Sequence, residues 1–322
     1  MRVWLALLTL LAISSVWCAP SLTDLKPALS AEDAGTIWFA SAGSLVRTQD
    51  ELRFTPADPI VISGILEFPL GSGPFPALVL AHGCNGIGSA EFGWARALRE
   101  WGYATFLLDS FAGRGLSEVC TRARTLTGTQ RIPDAYGALR ILVTHPKIDA
   151  RRIALMGFSH GGILALGAST VWAKESYAPT GQPPFRAFLP FYPYCNTVYP
   201  ERERISAPLR IHTGELDDWT PAAPCVLLTE TLRGAGYDAT ITVYEGAHHS
   251  FDNAWLGTTS HYLATVDNGA HCEYRTASIL GPLPSATELA GCLTKGATIA
   301  GNPEAMGHAL RNLRGQLAEL LR

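Results

Sequence analysis

Beyond Pro59 the chain alternates between two kinds of pattern. Short continuous apolar runs are predicted as strands over Ile60–Phe68, Pro76–Ala81, Ala104–Asp109, Arg152–Phe158, Ala187–Phe191, Leu209–Thr213 and Thr240–Tyr244. Runs of this kind suit strands buried on both faces, as in a parallel sheet. Between them lie helix patterns over Glu91–Trp101, Pro133–Val143, Gly162–Ala173, Ala223–Arg233 and Pro303–Arg322. Strand followed by helix, repeated, predicts an α/β fold with a mostly parallel, doubly wound sheet and helices on both faces. Residues 253–301 lack clear periodicity and contain Cys272 and Cys292, so they read as a disulfide-tied excursion within a single domain spanning 59–322.

Before that domain, Met1-Arg2 precedes an apolar run from Val3 to Ile13, which is shorter than the roughly 20 residues needed to span a bilayer. Residues 1–19 are therefore expected to be a signal peptide, cut after Cys18 or Ala19, with 20–58 an N-terminal extension. The expectation is an exported protein, periplasmic or secreted, with no membrane attachment after cleavage. Removing the leader leaves Cys84, Cys120, Cys195, Cys225, Cys272 and Cys292. An even number in an exported chain with no C-x-x-C pair favours disulfides over metal ligation, with about fifteen connectivities open. The hydrophobic content of 47% with 16% charged residues excludes a disordered chain. A net charge of -3 without a basic run excludes the electrostatic footprint of a nucleic-acid binder and favours small-molecule partners.

Gly157-Phe158-Ser159-His160-Gly161 fits G-x-S-x-G at the junction of a predicted strand and helix. A sharp turn there holds a serine in a strained conformation above the sheet, so the flanking positions must be glycine. A serine nucleophile needs a base, and His248-His249 stand together after the last apolar strand. The order serine, acid, histidine requires a carboxylate between them, and Gly214-Glu215-Leu216-Asp217-Asp218 offers two adjacent candidates. Ala81-His82-Gly83-Cys84-Asn85-Gly86 follows another strand, where the backbone amide of Cys84 pairs with that of His160 as oxyanion-hole donors. His82 itself reads as a structural hydrogen-bonding residue. The remaining histidines lack ligand spacing, so neither metal nor organic cofactor is expected.

On these motifs the chain resembles the dienelactone hydrolase family of α/β-hydrolases, in its exported branch, across roughly Ile60 to Phe251. The resemblance rests on the HGCNG loop, the LLDSFAGRG segment at Leu107 to Gly115, the GFSHGG elbow, the GELDDWTP loop and the GAHHSF loop. It implies Asp217 as the acid and His249 as the base, with Asp218 and His248 as fallbacks. The name-giving enzymes of the family use a cysteine where this chain has Ser159, so a serine hydrolase acting on a small-molecule ester or lactone is implied. The family's strand order also implies Cys84–Cys120 and Cys195–Cys225 bridges, leaving Cys272–Cys292 within the excursion. Two other readings are a serine peptidase of the same superfamily and a non-catalytic binding protein on the same fold.

Overall fold

The computed structural model describes residues 19–42, 44–47, 52–55, 59–279, 281 and 286–322. The expected leader falls outside them, apart from Ala19. Eight strands form the main sheet: β1 (Gly35–Ala40), β2 (Val61–Glu67), β3 (Phe75–Ala81), β4 (Ala104–Asp109), β5 (Ile148–Phe158), β6 (Phe188–Phe191), β7 (Leu209–Gly214) and β8 (Ala239–Tyr244). Their order is β1-β2-β4-β3-β5-β6-β7-β8. The β1–β2 and β2–β4 pairs are antiparallel, and every later pair is parallel. This is the mostly parallel sheet expected from the alternating pattern, in the α/β-hydrolase form that the resemblance implies.

The central strands are apolar on both faces because helices cover both. Side chains alternate along a strand, so Ala77, Val79 and Ala81 enter one core layer while Leu78 and Leu80 enter the other. Helices α1 (Ser89–Glu100) and α6 (Pro303–Leu320) close the second layer with Trp94, Leu98, Leu313 and Leu317. The first layer is closed by α2 (Ile132–Leu142), α3 (His160–Ala168), α4 (Val171–Tyr177) and α5 (Ala222–Gly234), through Leu139, Leu164, Ala173 and Leu228.

Three features differ from the sequence reading. The helix expected over Gly162–Ala173 is two helices, broken at Ser169 and Thr170. Their hydroxyls donate to the carbonyls of Leu166 and Gly167 at 2.7 and 2.9 Å, while Thr170 Oγ1 accepts the Ala173 amide and caps α4. Such local side-chain bonds compete with helix continuation. Within the stretch read as an extension, Gly35–Ala40 is an edge strand of the sheet, with Ile37 and Phe39 buried. The aperiodic excursion also contains regular structure. Its β9 (His261–Asn268) pairs antiparallel with β10 (Thr294–Ile299), and Tyr274–Arg275 adds to Thr197–Val198. Much of β9 is exposed on both faces, which leaves little apolar alternation to read.

The cysteines are bonded as Cys84–Cys120, Cys195–Cys225 and Cys272–Cys292, with Cα separations of 5.0, 5.1 and 5.0 Å. Three disulfides fit an oxidising environment. No helix among the described residues is long and apolar enough to cross a membrane.

One pH effect follows from the sheet interior. His212 on β7 is fully buried and stacks on Phe191 at 4.5 Å, with Nδ1 2.7 Å from the Tyr244 hydroxyl and Nε2 3.0 Å from Gln316 Oε1. Burial lowers its pKa from 6.5 to about 4, so the folded ring stays neutral where the unfolded chain binds a proton. Stability is therefore expected to decline as pH falls from 6.5 and to level off near 4, at about 1.4 kcal/mol per pH unit from this group. His212→Gln should flatten the dependence of Tm on pH across that window, and an unchanged slope would contradict the assignment.

Candidate active site

The turn between β5 and α3 leaves no room for side chains on either flank of the serine. A Cβ on Gly157 would lie 2.0 Å from the Gly161 carbonyl oxygen, and one on Gly161 would lie 2.0 Å from the Ala81 carbonyl oxygen. Strand and helix thus approach closely only because both positions are glycine. Ser159 itself sits at φ 52° and ψ −110°, held by the hydrogen bond its backbone N–H donates to the Phe191 carbonyl. Tyr192 at φ 36° and Ser250 at φ 61° share this uncommon region. Both border the same site, where strain of about 1–3 kcal/mol per residue is sustained by the surrounding contacts.

The structure brings Ser159, His249 and Asp217 into one line. His249 Nε2 is 2.9 Å from Ser159 Oγ, and His249 Nδ1 is 2.7 Å from Asp217 Oδ2. Asp217 follows β7, and its Oδ1 accepts the amides of Trp219 and Thr220 at 3.0 and 2.8 Å. The Thr220 hydroxyl lies 2.9 Å from Asp217 Oδ2 and 3.1 Å from His249 Nδ1. The His249 ring is buried between Tyr192 and Trp219, with centroids 4.6 and 5.0 Å away. Both Asp217 and His249 are buried, so their mutual orientation is fixed by protein contacts.

The neighbouring candidates point elsewhere. Asp218 is exposed, and its Oδ1 accepts the Thr298 amide at 2.8 Å, tying the acid loop to β10. Among the described residues His248 directs a buried Nδ1 to no hydrogen-bond partner, and the imidazole bonded to the serine is that of His249.

The loop after β3 reaches the elbow at Gly83, whose Cβ position is 3.8 Å from that of Ser159. Buried Glu91 on α1 fixes this loop, accepting the amides of Gly83 and Gly88 at 3.2 and 2.9 Å. His82 Nδ1 donates to the Gly83 carbonyl while Nε2 accepts the Ser110 amide, and burial holds its pKa well below 6.5. It is a neutral structural ring. Arg131, just before α2, donates from Nη1 to the His82 carbonyl at 2.9 Å and to His160 Nδ1 at 2.8 Å. His160 Nε2 in turn donates to the Leu126 carbonyl at 2.9 Å.

A cavity of about 590 Å³ adjoins Ser159 and His160, and its walls include Cys84, Cys120, Ile163, Leu166, Trp219 and Thr220. That volume lies within the range of sites that engulf small organic ligands. Among the described residues no group of three metal-binding side chains converges.

Comparison with known proteins follows the same geometry: residues 62–268 match the model of the dienelactone hydrolase family. The chain belongs to the dienelactone hydrolase family. It is therefore a hydrolase. A relative, thiohydrolase aneE of Aspergillus aculeatus, is 32% identical over 123 residues, a match covering 38% of each chain. The Bradyrhizobium sp. protein named probable 2-oxo-3-(5-oxofuran-2-ylidene)propanoate lactonase is 23% identical over 57% of this chain and 76% of its own. Among solved structures, the dienelactone hydrolase-like promiscuous phosphotriesterase P91 from metagenomic libraries superposes with a TM-score of 0.59 at 17% identity, over 89% of this chain and all of that one. The protein m3DLH gives 0.60 at 19% identity, over 90% and 99%. At such identities these two speak for a shared fold.

Within this dienelactone hydrolase frame, several residues around the site carry no sequence motif. Asp252 is buried and accepts the Trp94 indole N–H at 2.6 Å and the Tyr192 hydroxyl at 2.8 Å, which locks the ring packed on His249. Glu91 and Arg131 belong to the same group, while Thr220 lies inside the GELDDWTP loop itself. Position offers a signal for two of them, Asp252 one residue after the GAHHSF loop and Glu91 five after the HGCNG loop, whereas Arg131 lies sixteen residues beyond Gly115 and its partners are far away in sequence.

Proposed function

We propose that the protein is a serine hydrolase that cleaves a carboxylic ester or lactone through an acyl-enzyme. The observation that carries this reading is the unbroken relay from Ser159 Oγ through His249 to Asp217, at 2.9 and 2.7 Å. Nδ1–H of His249 donates to Asp217, which fixes the tautomer whose Nε2 accepts the serine proton. Ser159 Oγ attacks the acyl carbon as its proton passes to His249. The oxyanion is held by the backbone amides of Cys84 and His160, the latter at the N-terminus of α3, where the helix dipole favours negative charge. His249 returns the proton to the leaving alkoxide. It then takes one from water, which attacks the acyl-enzyme and releases the acid.

The cavity beside Ser159 supplies space for a small-molecule substrate. One relative is named a lactonase, so a lactone belongs beside linear esters in the assay. Export into the periplasm or the medium is proposed with this activity, supported by the three disulfides and the apolar N-terminal run. Labelling with a fluorophosphonate followed by peptide mapping tests the nucleophile directly. Modification at Ser159 is expected, and an unmodified Ser159 in a protein that hydrolyses p-nitrophenyl acetate would refute the assignment. Cleavage of amides in preference to matched esters would favour a peptidase instead.

The adjacent acids give a second test. Asp217→Asn replaces an acceptor that faces two amides and an imidazole N–H, and should lower kcat by about 10⁴-fold through the wrong histidine tautomer. Asp218→Asn alters one exposed contact to the Thr298 amide and should leave kcat within about threefold. Steady-state kinetics on the two variants check this ranking, and the reverse order would move the acid to Asp218.

A further inference from the structure

Arg131 is fully buried, yet among the described residues no carboxylate lies within ion-pair distance of it. Asp134 is engaged bidentately by Arg114 at 2.8 and 2.9 Å, and Asp109 and Glu91 act on Arg131 only through space. Its Nε and Nη2 have no hydrogen-bond partner. The guanidinium lies over the Phe111 ring, 5.2 Å from its centroid, and that ring meets His82 edge-on at 4.4 Å. Burying a charge with two nitrogens unsatisfied is costly, and such groups call for an explanation beyond packing.

We propose that Arg131 is a positioning residue for the oxyanion hole, clamping from a single nitrogen the two backbone segments that carry the amides of Cys84 and His160. The inference rests on the oxyanion role proposed above for those amides. On one side, Nη1 holds the His82 carbonyl, two residues before Cys84. On the other, it holds the imidazole of His160, whose own backbone N–H is the second donor. These segments leave different strands, β3 and β5, and the spacing of their amides decides whether both meet the same developing oxyanion. Burial keeps His160 neutral, with its pKa at about 3, so Nδ1 retains the lone pair that Arg131 requires. Burial also pulls Arg131 down, but only to about 9, so the clamp is cationic at neutral pH. The Cys84–Cys120 bridge secures the same loop from its other side.

The test compares Arg131→Met, Arg131→Lys and His160→Gln with the wild type on one p-nitrophenyl ester. His160→Gln keeps the backbone amide and cuts one of the two links. Losing alignment of an oxyanion donor should lower kcat about 10²-fold in Arg131→Met, with KM changing less than about threefold. Lysine keeps the charge with a single nitrogen and should recover roughly tenfold of the loss. A trifluoromethyl ketone that forms a tetrahedral serine adduct should bind more weakly in step with kcat, while the corresponding methyl ketone is unaffected. The double variant should lose no more than Arg131→Met alone, because both changes cut one clamp. Additive losses, equal weakening of both ketones, or a raised KM with kcat retained would each overturn the proposal. If Arg131→Met does not fold, unchanged kcat in His160→Gln overturns it equally. Absence of ester turnover in the wild type would count against the esterase reading, whereas the ratio of variant to wild type concerns Arg131.

Discussion

Ser159→Ala should lower kcat for ester hydrolysis by about 10⁶-fold while leaving the protein folded. The magnitude follows from the role, since removing the attacking oxygen leaves only binding and oxyanion stabilisation, and these retain roughly 10³–10⁴-fold over water. The fold should persist because the backbone bonds of Ser159, from its amide to Phe191 and from Ile163 to its carbonyl, involve no side-chain atom. Alanine also presents the same Cβ at φ 52°, so the strained turn gains no new clash. Circular dichroism and Tm measured beside the kinetics separate chemistry from unfolding. Turnover within tenfold of wild type in the folded variant would falsify the nucleophile assignment.

An effect of similar size is expected for His249→Ala and not for its neighbour. In the proposed mechanism His249 takes the serine proton and returns it to the leaving alkoxide, so its loss should approach that of the serine itself, near 10⁶-fold. The ring also packs between Tyr192 and Trp219, and its truncation should cost some stability as well, which Tm reports separately. His248→Ala removes a ring with no bond to Ser159 or Asp217 and should alter kcat less than about tenfold. Imidazole added to His249→Ala offers a further check, since a free base in the vacated space should restore part of the rate. A larger loss at His248 than at His249 would reverse the assignment.

The parts of this site that the sequence exposes are those where sterics permit one residue type. Gly157 and Gly161 flank Ser159 because a Cβ at either would meet a carbonyl oxygen at 2.0 Å, so the elbow is written in the letters themselves. Adjacent pairs are different. Asp217 and Asp218 are chemically identical in one dimension, and only the turn that points one at His249 and the other at the Thr298 amide separates them. Long-range polar partners are less legible still, because Arg131 with His82 and His160, or Asp252 with Trp94, spans stretches with no shared pattern. The buried central strands were readable from apolar runs because helices cover both sheet faces. Edge strand β1, just Gly35–Ala40 and isolated from the later alternation, was not.

The excursion between β8 and α6 begins and ends at one place. Ile299 bridges to His249, the Ala300 amide donates to the His249 carbonyl at 3.3 Å, and the Asn302 amide donates to the Phe251 carbonyl at 2.8 Å. Some fifty residues thus leave and return through a single doorway, beside His249. Closing a loop whose ends already meet depends only logarithmically on its length, so the length of this segment costs the fold little. The segment supplies Tyr274, Ile279 and Leu289 to the cavity, so a change in its length would reshape that wall, and its bonds from Thr298 and Asn268 to Asp218 couple the wall to the loop that carries Asp217.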